Sequence, residues 1–207
     1  MQNFKHPRCF CERAELIKNG GFEIRSSEPD SPFRHWRIVN PNLARVSNEP
    51  LITSIAYEGL SAASFETIPT DEEEDKSVTL QQNVIATPGC TYKLSFAENL
   101  INVGSGGASL PILTARVVYT DDSGNDVDLI IVPILKLNRK TDTDRGYTFH
   151  EAVANVPLPC NVSELIVRFD FFVNNITGTL WFLDGVSLRA VSSISACCED
   201  NKTCVIR

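Results

Sequence analysis

The chain has 207 residues, 22% of them charged and 43% hydrophobic, with a formal net charge of −7, which is the balance of an ordinary globular domain. An acidic chain has no basic excess to displace phosphate counterions, which excludes nucleic acid as the expected partner, and no polybasic patch for an anionic membrane surface. The longest apolar run, residues 129–135, is broken by Pro133 and is far short of the roughly 20 residues that span a bilayer, so no membrane span is expected.

Residues 1–13 are polar, carry Cys9 and Cys11, and lack the apolar core of a secretory signal. From Ala14 onward the chain becomes a series of short alternating or apolar runs: 15–18, 33–39, 51–57, 62–66, 78–86, 92–98, 113–119, 127–132, 148–156, 165–173 and 180–188. Turn residues separate them, such as Asn-Gly-Gly at 19–21 and Thr-Pro-Gly at 87–89. A period of two places Tyr92, Leu94 and Phe96 on one face of their strand, and sets Phe169 and Phe171 opposite Arg168 and Asp170. Trp181 and Leu183 share a face. The apolar pattern then shifts to Val186 and Leu188, which requires a bulge at 184–185. The expected fold is all-β, an antiparallel two-sheet β-sandwich over residues 14–191 between Cys-containing tails at 1–13 and 192–207. The acidic segment 70–76 reads as a solvated loop, with a calcium loop as the alternative. The glycine-rich segment 101–108 precedes no helix and ends in no Lys-Ser/Thr, so it is not a phosphate cradle.

The seven cysteines are concentrated at the ends. Cys9, Cys11, Cys197, Cys198 and Cys204 fall in the tails, and Cys90 and Cys160 in the body. Three readings stand: bonds between subunits, ties between the two tails of one chain, or a zinc site. The odd count leaves at least one cysteine without a partner in its own chain. Cys90 and Cys160 each follow a proline-containing turn and are either a disulfide pair or two partly buried thiols. The tails hold too few large apolar groups to fold alone and are expected to be mobile in an isolated monomer. Catalysis is not expected, because His6, His35 and His150 are scattered and no nucleophile elbow is present. The sheet face opposite the core shows Arg116, Arg168, Asp170 and Phe172. That makes it the candidate ligand face, although one aromatic ring is a poor platform for sugars. Trp36, Tyr57 and Trp181 are assigned to the core.

The order of motifs resembles the galactose-binding-like jelly rolls that include xylan- and glucan-binding carbohydrate modules. Glu15-Leu-Ile-Lys-Asn-Gly-Gly-Phe-Glu23 looks like their opening strand, with Trp36 after it. Glu58-Gly-Leu-Ser-Ala-Ala-Ser-Phe65 and Thr87-Pro-Gly-Cys-Thr-Tyr-Lys-Leu-Ser-Phe96 are similar to two interior segments. Leu180-Trp-Phe-Leu-Asp-Gly-Val-Ser-Leu188 looks like the closing strand. The resemblance implies a non-catalytic jelly roll and a structural calcium ion held by Glu23 and Asp184. It extends to spore-surface proteins. Combined with the cysteine tails, it points to a homo-oligomeric or fibre-forming structural subunit, cross-linked at a cell or spore surface. The alternative is a carbohydrate-binding module for an extracellular polysaccharide.

Overall fold

The structure, a computed structural model, describes residues 10–27, 31–40, 44–49, 56–67, 77–102, 111–135, 146–172, 180–193 and 195–198. These residues form ten strands: β1 (Arg37–Val39), β2 (Ala44–Glu49), β3 (Ala62–Thr67), β4 (Ser77–Ile85), β5 (Tyr92–Asn102), β6 (Pro111–Thr120), β7 (Asp126–Leu135), β8 (Thr148–Val153), β9 (Glu164–Phe172) and β10 (Leu180–Ala190). Two five-stranded sheets result, ordered β1-β4-β9-β6-β7 and β2-β3-β10-β5-β8, and every neighbouring pair is antiparallel. The acidic segment 70–76 lies outside the described residues, as do residues 103–108 of the glycine-rich one.

Alternation makes the sandwich. Side chains at every second position point to one face, so a strand with an apolar set on that face has to bury it against a second sheet. Tyr92, Leu94, Phe96, Phe169, Phe171, Trp181, Leu183, Val186 and Leu188 are all buried, as the period of two requires. Phe169 meets Phe96 edge-on at 5.2 Å, and Phe171 meets Trp181 at 5.6 Å, a preferred geometry for aromatic pairs. Between Asp184 and Ser187 the pairing of β10 with β5 shifts register, and Gly185 sits at φ +58°. This is the bulge that the change of apolar face demands. Strand β2 was not foreseen, because residues 44–49 carry no regular alternation. It forms because β3 offers its edge from Ala62 to Thr67.

Residues 15–20 run beside β10 without forming a regular strand. Leu16 N donates to Leu188 O, and Val186 N to Gly20 O. Glu15 fastens this segment: its carboxylate accepts from Ile17 N, Leu188 N, Ser187 Oγ and Arg189 Nε at 2.5–3.0 Å. Burial raises the pKa of this carboxyl, but those donors outweigh it and the net shift is downward. A carboxyl held below its unfolded pKa stabilises the fold above that value and loses the contribution as pH falls through the folded one. Glu15→Gln is therefore expected to cost about 2 kcal/mol at neutral pH. The gap to wild type should narrow as pH falls below the ordinary 4.5, which urea midpoints across pH will show.

The cysteines depart from expectation. Cys11 is bonded to Cys90 (Cα–Cα 5.7 Å) and Cys160 to Cys197 (Cα–Cα 5.6 Å). Cys11 and Cys197, expected to bond other chains, are bonded within this one, and Cys90 and Cys160 each take a terminal cysteine rather than each other. The reason is backbone pairing at one end of the sandwich. Gly89 N donates to Leu158 O, Leu158 N to Cys90 O, Ala196 N to Gly89 O, and Cys11 N to Ser193 O. These bonds bring the 87–90 turn, the 157–160 segment and both ends of the chain together. Residues 10–13, 192–193 and 195–198 are thus held rather than mobile, and Cys11, Ser195 and Cys197 are buried. Cys9 and Cys204 lie outside the described residues, as does the side chain of Cys198.

Candidate functional site

The outward face of the first sheet carries the residues expected to meet a ligand. Register sets Arg37, Gln81, Arg168, Arg116 and Ile131 in one row across five strands, and Thr79, Asp170, Thr114 and Pro133 in the next. Like charges opposite one another destabilise a sheet, so the Arg116–Arg168 pair needs carboxylates around it. Arg116 grips Asp128 with two hydrogen bonds, 2.7 and 2.9 Å, and lies 3.8 Å from Asp170. Arg168 donates to Asp170 at 3.0 Å and lies 3.6 Å from Asp126, while Thr79 Oγ1 donates to Asp170 at 2.6 Å. Asp170 is consequently 4% exposed. It is a buried, satisfied charge that fixes the guanidinium planes and does not face solvent. Phe172 is half-buried beside Ser77 at the edge of this face.

Next to this network the same face opens into a groove of about 400 Å³ lined by Asn83, Tyr119, Asp122, Asn161, Glu164 and Ile166, among others. Its polar groups are held in pairs: Asn83 Nδ2 donates to Glu164 at 2.7 Å and Asn161 Nδ2 to Asp122 at 2.9 Å. The turn that carries Asp122 is itself fixed, because the Asp121 carboxylate accepts from Ser123 N and Asn125 N at 2.9 Å. Amides and carboxylates together can both donate to and accept from a hydroxylated ligand. The ligand-face residues foreseen, Arg116, Arg168, Asp170 and Phe172, are brought together on one sheet. The groove was missed because two of its sides come from turns, 120–122 and 161–163, whose meeting depends on the packing of β6 against β9.

On the opposite sheet, Glu23 and Asp184 converge on the 57–61 loop. Glu23 Oε1 accepts from Leu60 N (2.7 Å) and Ser61 N (3.0 Å). Asp184 accepts from Tyr57 N (2.8 Å) and Glu58 N (3.0 Å) at one oxygen and from Gly185 N (2.7 Å) at the other. Asn19 at φ 56° shapes the turn that delivers Glu23, bonding Ile24 and Arg34 through its amide. Burial raises the Asp184 carboxyl to about 6, with the Glu23 charge adding to the rise, against the three N–H donors. Among the described residues no third acidic, histidine or cysteine side chain joins this pair. A hard cation would have to draw on backbone carbonyls and water to reach six to eight oxygens. With no cation bound, the folded state holds a proton on Asp184 that the unfolded chain releases near its ordinary 3.8. Stability is then expected to fall as pH rises from about 4 to 6, and Asp184→Asn should remove that slope in chelator-treated protein.

Tyr57, assigned to the core from sequence, is 43% exposed, whereas Trp36 and Trp181 are buried as expected. Trp36 packs on Phe22 at 5.4 Å and donates its Nε1 to Asn19 O.

No family model matches the sequence, and no curated protein matches it. Solved structures do. A family 61 carbohydrate-binding module, TmCBM61, solved with β-1,4-galactotriose, superposes with a TM-score of 0.51 at 18% identity, covering 86% of this chain and 99% of that one. The β-sandwich fold is shared with this module. The CBM22-1 xylan-binding domain of Paenibacillus barcinonensis Xyn10C gives 0.52 at 11% identity, covering 90% and 99%. The arabinose-bound MgGH51 α-L-arabinofuranosidase gives 0.56 at 16% identity, but this chain spans only 26% of that enzyme. No helix among the described residues is long and apolar enough to cross a membrane.

Proposed function

We propose that this chain is a non-catalytic binding module that takes a neutral polysaccharide along the outward face of its first sheet. The observation that carries this reading is the groove of about 400 Å³ with its paired amide and carboxylate side chains, set on the fold shared with galactotriose- and xylan-binding modules. Arg116 and Arg168 are neutralised by Asp126, Asp128 and Asp170. The face has no surplus positive charge for an acidic chain, and a neutral glycan fits it better. Two intrachain disulfides suit an oxidising compartment, hence an extracellular or surface location. In native gels containing soluble xylan, β-glucan or β-1,4-galactan, the wild type should be retarded by at least one of them. Asn83→Ala/Asn161→Ala should reduce that retardation tenfold or more, and a wild type retarded by none contradicts the proposal.

Calcium at Glu23 and Asp184 belongs to the same proposal as a structural ion. It would relieve the repulsion between two carboxylates that converge on one loop, and calcium over chelator should raise the melting temperature by several degrees. A second reading, cross-linked assembly, draws support from parity. The two bonds use four of the seven cysteines, leaving Cys9, Cys198 and Cys204, of which at least one lacks a partner in its own chain. A non-reducing gel ladder that collapses with reductant supports that link.

A further inference from the structure

The outward face of the second sheet carries an aromatic cluster that the groove does not use. Tyr57 and Phe149 lie nearly parallel, 20° between planes and 6.4 Å between centroids, and Tyr147 stands 5.5 Å from Tyr57. Phe149 is 52% exposed and Tyr57 43%. Both rings are placed by the sheet. Asp184, Ala97 and Phe149 are register partners across β10, β5 and β8, so the small Ala97 leaves room above it, and it is wholly covered. Tyr57 is tied by its N–H to Asp184 and lies against Gly185, where an added Cβ would stand 3.2 Å from its ring. The opposite side of β8 faces the interior, since His150 stacks on Phe96 at 5.0 Å. Phe149 therefore points outward by the geometry of the strand.

Size and charge narrow what can sit here. A Phe or Tyr side chain presents roughly 150–250 Å², so these exposures leave about 200 Å² of ring surface. A stable protein interface takes about 800 Å² from each partner. The exposed ring surface is the size of one or two sugar rings and on its own falls well short of a protein interface. Glu58 and Glu151 are exposed beside it, which disfavours an anionic ligand. Glu151 is taken by Lys93 at 2.7 Å and Asp184 is buried under three N–H donors, so of these carboxylates Glu58 alone would meet a cation over the rings, one charge rather than an acidic cage. A neutral ligand with an apolar C–H face remains.

We propose that Tyr57 and Phe149 stack a pyranose ring, giving the module a second glycan contact on the sheet opposite the groove. This rests on the carbohydrate-binding reading and adds bivalency to it, since two linked contacts on one polymer strengthen retention well beyond either alone. The test uses the full chain in native gels containing soluble xylan or β-1,4-galactan. Tyr57→Ala/Phe149→Ala should lower retardation at least tenfold, Phe149→Tyr should stay near wild type, and Phe149→Leu should be clearly less retarded than wild type although it keeps an apolar side chain. Circular dichroism of each variant confirms that the sandwich is formed. If the ring variants are retarded like wild type while Asn83→Ala/Asn161→Ala is not retarded, the second contact falls and the groove stands. If Phe149→Leu binds as well as wild type, ring stacking is overturned. A wild type retarded by neither polymer overturns the platform for these two glycans, and the wider panel above then decides the groove.

Discussion

Replacing Cys11 and Cys90 together with alanine is expected to be among the most destabilising changes that leave the sandwich sequence otherwise intact. The bond joins residues 79 apart, and closing a loop of that length in the unfolded chain corresponds to about 4–5 kcal/mol on the chain-entropy estimate. The Cys160–Cys197 bond spans 37 residues and corresponds to about 4 kcal/mol on the same basis. For a domain of this size, either pair removed should lower the melting temperature by about 10 °C. The loss has a local component as well. Ser192 Oγ accepts from Thr91 N at 2.9 Å and donates to Cys11 Sγ at 3.2 Å, so the bond also seals a small polar cluster. Guanidinium midpoints of the two double variants measure this, and unchanged midpoints would show that the bonds add nothing to the fold.

Gly89→Ala should be nearly as severe. The residue sits at φ +73°, a region that costs an L side chain 1–3 kcal/mol on its own. A Cβ there would collide with Ser195 Oγ and stand 2.5 Å from Cys197 Sγ and 2.6 Å from Cys197 N. Ser195 cannot easily yield, because its hydroxyl donates to Pro88 O at 2.6 Å. The 87–90 turn is thus wedged between the two disulfides. The substitution is expected to cost about 3 kcal/mol, strain and overpacking combined. Denaturation with the disulfides intact gives the number, and a cost below about 1 kcal/mol would mean the turn can shift.

Strands with strict alternation were legible in the sequence, and the reason is local. Tyr92, Leu94 and Phe96 declare their buried face without reference to any partner, and the shift from Leu183 to Val186 declares a bulge at Gly185. The galactose-binding-like motifs likewise led to the correct fold. What escaped depends on tertiary placement. Cys11 meets Cys90 only because residues 192–193 pack along the 90–91 turn, and no spacing in the chain encodes that. Tyr57 read as core because an aromatic in an apolar run usually is. It is exposed because Asp184 captures its backbone and its ring lies on the outer side of the sheet against Gly185. Phe149 falls at an outward position of β8, whose alternation of Thr148, His150 and Ala152 inward is too weakly apolar to mark the face. The sequence placed Arg116, Arg168, Asp170 and Phe172 on one sheet face, as the register has them, but Asp170 is the buried counter-charge of the two arginines rather than a solvent-facing group. The groove beside them required knowing that two distant turns meet.

The most direct measurement is a two-dimensional amide NMR titration of the wild-type chain with xylo-, gluco- and β-1,4-galacto-oligosaccharides. Binding in the groove predicts saturable shifts at Asn83, Thr120, Asp122, Asn161 and Glu164 with at least one of these sugars, while buried residues of the second sheet such as Phe65 and Trp181 stay unperturbed. No shift with any of them at millimolar sugar, or shifts that leave the groove residues untouched, would contradict a glycan-binding role for this face.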